Sequence, residues 1–229
     1  MTSGAFPFEA NLNPVDTAER TARLVDPGFG RVFTDHMVTI RYSDTKGWYD
    51  AKVGPRAPLT LDPATAVLHY AQEIFEGLKA YRLADGNMAL FRPEQNARRF
   101  QRSAKRLAMP ELPEEMFLQA CKQLVQVDKD WFPPVDGGSI YLRPFMIASE
   151  VFLGVKPSAE YLFMVIASSA GNYFKSGAPA ISIWVSEQYT RARKPAESRR
   201  YWTALSEGGV RKVVNRRYSD RLLAPPVDM

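Results

Sequence analysis

In 229 residues the chain has one cysteine and two histidines. A lone thiol, Cys121, cannot close an internal disulfide. His36 and His69 stand far apart, without acidic or thiol companions at ligand spacing, so neither a disulfide scaffold nor a metal centre is expected. Cys121 falls on the apolar stripe of an expected helix and reads as a packed thiol rather than a reactive one. Long hydrophobic runs are missing too. The longest, Tyr161 to Ala170, is well short of the ~20 apolar residues a helix needs to cross a bilayer. The opening Met1-Thr2-Ser3-Gly4-Ala5 lacks the basic and apolar regions of a signal peptide, so a cytoplasmic location is expected. Internal repeats and low-complexity tracts are absent.

A basic excess is also absent from most of the chain. The net charge is +5, from 30 Lys/Arg and 25 Asp/Glu. Residues 191–229 hold ten of the basic residues and four of the acidic ones, leaving 20 basic and 21 acidic residues in 1–190. The high pI therefore belongs to the tail, and blocks of like charge are more often merely disordered than bound to nucleic acid. No nucleic-acid partner is expected. With 45% hydrophobic residues, the chain can bury one good core or two small ones.

Val38–Tyr42 and Trp48–Val53, rich in β-formers, flank the polar Ser43-Asp44-Thr45-Lys46-Gly47 and read as a hairpin. Asp62-Pro63 is expected to open a helix running through Leu68 to about Ile74, with Asp as N-cap and Pro in the first turn. Gly77–Leu83 and Met88–Arg92 flank Ala84-Asp85-Gly86-Asn87, a second hairpin. A helix from Pro93 to about Ala108 carries Ala97, Phe100, Ala104 and Leu107 at helical spacing. Another from about Glu114 carries Phe117, Ala120, Cys121 and Leu124. Ser139–Ser149, Tyr161–Ser168 and Ala180–Gln188 read as strands, the second covered on both faces because its apolar residues do not alternate. Without a strict βαβ repeat, the fold class is α+β.

Two features point to chemistry. The helix from Pro93 holds Arg98, Arg99, Arg102, Lys105 and Arg106. They form either a solvated basic face or a face from which one guanidinium turns inward to clamp a phosphate. Tyr141 and Arg143 project together from an otherwise apolar strand. An arginine there is costly unless it meets a carboxylate, whether of a structural glutamate or of a substrate.

The ordered series Leu68-His69-Tyr70-Ala71-Gln72-Glu73-Ile74-Phe75-Glu76-Gly77-Leu78-Lys79-Ala80-Tyr81, Phe91-Arg92-Pro93 with Asn96 and Arg99, Ser103-Ala104-Lys105-Arg106-Leu107, Val127-Asp128-Lys129-Asp130-Trp131 and Tyr141-Leu142-Arg143-Pro144 resembles the N-terminal half of branched-chain amino acid aminotransferases. These are fold-type IV enzymes that use pyridoxal 5'-phosphate. Gly28-Phe29-Gly30 with Thr34-Asp35-His36-Met37 resembles the extended N-terminal region of the mammalian and actinobacterial members. Gly77 and its hairpin are shared with D-amino acid aminotransferases and aminodeoxychorismate lyases; the match around Tyr70, Tyr141 and Arg143 favours the branched-chain branch. The resemblance implies transamination of leucine, isoleucine or valine with 2-oxoglutarate by a homodimer. It assigns Arg99 to the cofactor phosphate and Phe29, Tyr70, Phe75, Tyr141 and Tyr173 to an apolar box around the substrate. Arg143 is implied to receive the distal carboxylate of glutamate or 2-oxoglutarate.

The family's Schiff-base lysine, in a Lys-x-Gly-Gly-Asn-Tyr context, has no match here. The corresponding stretch reads Arg191-Ala192-Arg193-Lys194-Pro195-Ala196-Glu197-Ser198-Arg199-Arg200, and Lys212, with Asn215 and Tyr218, has the wrong spacing and no adjacent glycine pair. No catalytic residue is therefore assigned. The expected organisation is a small aminotransferase domain over residues 1–175, the first strand of a truncated large domain over 176–190, and a nonhomologous, disordered basic tail over 191–229. A reading-frame change would produce such a tail, as would a replacement segment or a designed sequence. The competing reading is a catalytically dead remnant that at most dimerises or binds a phosphate ligand.

Overall fold

The computed structural model of the protein describes residues 5–134 and 138–171. The described residues form helices packed on one antiparallel sheet, an α+β arrangement. Its elements are α1 (Thr17–Leu24), β1 (Val32–Ser43), β2 (Gly47–Pro55), α2 (Ala66–Tyr70), β3 (Glu73–Phe75), β4 (Leu78–Arg82), β5 (Met88–Leu90), α3 (Pro93–Arg106), α4 (Glu114–Val127), a 3-10 turn (Lys129–Trp131), β6 (Ser139–Ala148) and β7 (Glu160–Ala170). The strand order is β2-β1-β7-β6-β4-β5, with β3 also paired to β6. Both hairpins stand where turn chemistry puts them. Ser43 pairs with Gly47, and Leu83 N–H donates to Asn87 O around Gly86, whose φ is 83°. The expected Ala180–Gln188 strand and everything after it lie outside the described residues.

The main core lies between the sheet and α3 and α4. Phe100 of α3, Phe117 of α4 and Phe163 of β7 meet with ring centroids 5.4–6.1 Å apart. All three are essentially solvent-free, and each contributes about 2–3 kcal/mol by leaving water. The β7 strand is central, and the run Phe163-Met164-Val165 is buried on both of its faces, with Met164 packing into a smaller cluster with Met37 and Ile147. Cys121 is fully buried on α4, and burial pushes its thiol far above the ordinary range.

One expected element is corrected. Asp62-Pro63 does not cap a long helix. Asp62 Oδ1 accepts from Ala64 N–H and its carbonyl from Thr65 N–H, closing a turn, and α2 then runs only from Ala66 to Tyr70. Ala71, at φ 48°, ends it in the left-handed conformation, and Ile74 belongs to β3, where it pairs with Met146. Cross-strand pairing with β6 outweighs local helix propensity.

Strands β3 and β4 lie along the same edge of β6 in a single register. Phe75 sits opposite Phe145 and Leu78 opposite Leu142, and the intervening Glu76-Gly77 interrupts the ladder. The interruption falls beside Pro144, which has no N–H to donate; its carbonyl still accepts from Glu76 N–H at 2.8 Å. Alternation continues through the break. Ile74, Glu76, Leu78 and Ala80 are all buried on the helix side, and Phe75 and Tyr81 are exposed on the other.

Candidate functional site

The break at Glu76-Gly77 positions two groups of side chains. On the helix side, Arg92 enters the left-handed region at φ 44° as the N-cap of α3, and Pro93 opens the helix. Asn96 and Arg99, three apart, then share the face toward the break. Glu76, only 5% exposed, receives Arg99 Nε–H at 2.5 Å and Nη2–H at 2.7 Å, and Asn96 Nδ2–H at 2.9 Å. Asn96 also reaches the Gly77 carbonyl at 3.3 Å. Of the basic residues on this helix, Arg98 pairs at the surface with Glu114 at 3.3 Å, and Arg102, Lys105 and Arg106 are exposed. Arg99 alone among them is locked to a buried carboxylate, while its own side chain is 48% exposed.

The second group lies on the opposite side of the sheet. Arg143 Nη2 donates to Tyr141 Oη at 2.8 Å, and its guanidinium lies 4.4 Å from the Phe75 ring centroid and 5.4 Å from that of Tyr141. Phe29 packs on Tyr141, with centroids 4.9 Å apart. Phe29 is carried on a turn between Gly28 (φ 61°) and Gly30 (φ 68°), tied to the end of β7 by Gly171 N–H donating to Gly28 O. Among the described residues Arg143 meets no carboxylate. The buried Arg143 Nε–H faces no acceptor among the described residues, so the group suits an anionic ligand more than a structural ion pair.

Phe29, Phe75, Tyr141 and Arg143 are thus gathered. Tyr70 is not among them: at the end of α2 it stacks on Phe152, with centroids 5.9 Å apart. Tyr173 lies outside the described residues. Sequence reasoning assigns no site role to Glu76, Asn96 or Gly77. The available signal is parity, because in Ile74-Glu76-Leu78-Ala80 a carboxylate occupies a position whose alternates are all apolar and buried. A guanidinium held by a buried carboxylate and a guanidinium lined by aromatic rings are both chemically suited to anionic groups.

No protein-family model matches the sequence. The chain is 58% identical over 193 residues to the "probable branched-chain-amino-acid aminotransferase" of Streptomyces coelicolor, and 55% identical over 195 residues to the branched-chain-amino-acid aminotransferase of Mycolicibacterium smegmatis. Both matches cover 84% of this chain and 53% of the relative. Among solved structures, the branched-chain amino acid aminotransferase of Escherichia coli aligns with a TM-score of 0.49 at 23% identity, covering 69% of this chain and 45% of that one. Over 84% of its length, this chain is homologous to the branched-chain-amino-acid aminotransferases, and it spans about half the length of the curated relatives it matches.

Proposed function

We propose that this chain is the part of a branched-chain-amino-acid aminotransferase that holds the cofactor phosphate and forms one wall of the substrate site. The observation that supports this reading most is the Glu76-Gly77 break, which sets a clamped arginine on one face of the sheet and a tyrosine-bonded arginine on the other, in a chain 58% identical over 193 residues to a probable enzyme of this kind. Arg99 takes the phosphate of pyridoxal 5'-phosphate, offering a planar, permanently charged donor set. Arg143 takes the distal carboxylate of glutamate or 2-oxoglutarate. Phe75, Phe29 and the ring of Tyr141 take the side chain of leucine, isoleucine or valine, so one pocket serves both substrate classes. When bound, the cofactor supplies an electron sink for the carbon that bears the substrate amino group. The complete activity is transamination of these amino acids with 2-oxoglutarate by a cytoplasmic homodimer. Tyr70 and Tyr173 are assigned to the same substrate box by resemblance alone.

A second reading is favoured by one specific observation: no lysine of the sequence stands in the Lys-x-Gly-Gly-Asn-Tyr context. On this reading the chain is a non-catalytic module that retains the phosphate corner and the ability to dimerise. The two readings are separated by incubating the purified chain with pyridoxal 5'-phosphate, reducing with borohydride and mapping labelled peptides. Stoichiometric labelling of one lysine together with leucine transamination supports the enzyme. Phosphate-dependent binding without a unique labelled lysine supports the module.

A further inference from the structure

We propose that Glu76 is a positioning residue: by bidentate pairing it fixes the plane of the Arg99 guanidinium as a ligand for a phosphate monoester. The inference rests on the reading of Arg99 as the phosphate ligand. A carboxylate beside an anion site needs an explanation, since its charge opposes the arriving phosphate. It acts either as a competitor that occupies Arg99 until displaced, or as a fixed support.

The geometry favours support. A competitor has to swing away, and Glu76 is 5% exposed, on the buried side of the strand between Ile74 and Leu78, with its own N–H bonded to Pro144 O. Its two oxygens hold Arg99 Nε, Arg99 Nη2 and Asn96 Nδ2 at 2.5–2.9 Å. Arg99, by contrast, has a side chain 48% exposed, and a long side chain at such a position samples many rotamers unless it is held. Bidentate pairing removes that freedom before any ligand arrives, and preorganised donors bind more tightly than mobile ones. Asn96 completes the support. By bonding both Glu76 Oε2 and the Gly77 carbonyl, it ties the carboxylate to the ladder break.

The test measures Kd for pyridoxal, which lacks the phosphate, and Kd for pyridoxal 5'-phosphate on the full 229-residue chain; the ratio of the first to the second isolates the phosphate corner. Loss of that ratio in Arg99→Ala establishes the underlying reading. A wild type that does not discriminate between the two probes overturns that reading and the inference with it. Given discrimination, Glu76→Gln is expected to lower the ratio about tenfold with pyridoxal binding unchanged, although it removes a repelling charge. A raised ratio would identify a competitor, and an unchanged one would mean that Glu76 does not act through Arg99; either overturns the proposal. In an Arg99→Lys background, which has no fork to orient, Glu76→Gln is expected to have no further effect, and an additive loss would overturn the inference. If Glu76→Gln does not fold by its thermal melt, Asn96→Ala takes its place. It withdraws one donor from Glu76 and is expected to lower the ratio by about twofold to threefold, with no change overturning the proposal.

Discussion

The hydroxyl of Tyr141 occupies the space that a Cβ on residue 77 would need: a methyl there would lie 2.3 Å from the oxygen and 3.0 Å from the ring carbon that bears it. Glycine at 77 is therefore a condition for the Tyr141–Arg143 hydrogen bond and for the packing of Phe29 on the same ring.

Gly77→Ala is expected to destabilise the fold by about 1–3 kcal/mol, because Tyr141 is held on one side by Arg143 and on the other by Phe29 and cannot simply rotate away. Most of the loss should return in Gly77→Ala/Tyr141→Phe, which deletes the clashing oxygen. Urea denaturation of wild type and the two variants checks this. A single variant as stable as wild type would mean that the tyrosine yields at no cost.

Arg99→Ala removes the main partner of a carboxylate that stays buried. A stability loss of about 1–3 kcal/mol is expected near neutral pH, discounted because the arginine end of the pair is half-exposed. Arg99→Ala/Glu76→Gln should be more stable than Arg99→Ala alone, since the uncompensated charge is gone. Thermal melts that order the two variants the other way would show the carboxylate to be at ease without its arginine.

Cys121 should be inert. Its thiol is fully buried on α4 among Phe117 and Leu124, and burial raises its pKa far above the range in which a thiolate forms. Thiol titration with a chromogenic disulfide is expected to give no fast phase in the native protein and one equivalent in denaturant. A native fast phase would place the thiol at a surface.

An alkaline limit follows from Tyr161. Burial, partly offset by a hydrogen bond with Gln72 and reinforced by the charges of Asp44 and Glu150, pushes its pKa from 10.0 up to about 12. Because the folded state holds the proton more tightly than the unfolded chain, the contribution is whole below about pH 10 and is lost as the pH rises toward 12. The loss amounts to roughly 2 kcal/mol at the upper end of that window. Tyr161→Phe should flatten the stability profile between those pH values, whereas a profile of unchanged steepness would assign the alkaline limit to other groups.

What could be read from the sequence divides by distance along the chain. Both hairpins and the helices α3 and α4 rest on turn residues and on 3.6-residue periodicity, which are local, and they fold where those signals lie. The α2 boundary does not, because β6 competes for Ile74 through a pairing 72 residues away, Ile74 with Met146. The gathering of Phe29, Phe75, Tyr141 and Arg143 rests on contacts between residues far apart along the chain, which no local signal carries. The Glu76–Arg99 clamp is not legible in the same way: its partners are 23 residues apart on a strand and a helix, and only the parity of Glu76 hints at burial.

Glu76 and Gly77 are consecutive, and in a pleated strand consecutive positions serve opposite faces. The two-residue spacer between Phe75 and Leu78 thus acts as a gauge of length as well as a place where chemistry sits. With Phe75 opposite Phe145 and Leu78 opposite Leu142, one inserted or deleted residue would either break a flanking ladder or exchange the faces that positions 76 and 77 address. That would send the carboxylate toward Tyr141 and leave Arg99 facing a residue without a side chain. Substitutions at these positions degrade one half of the site at a time, whereas a change in their number disables both at once.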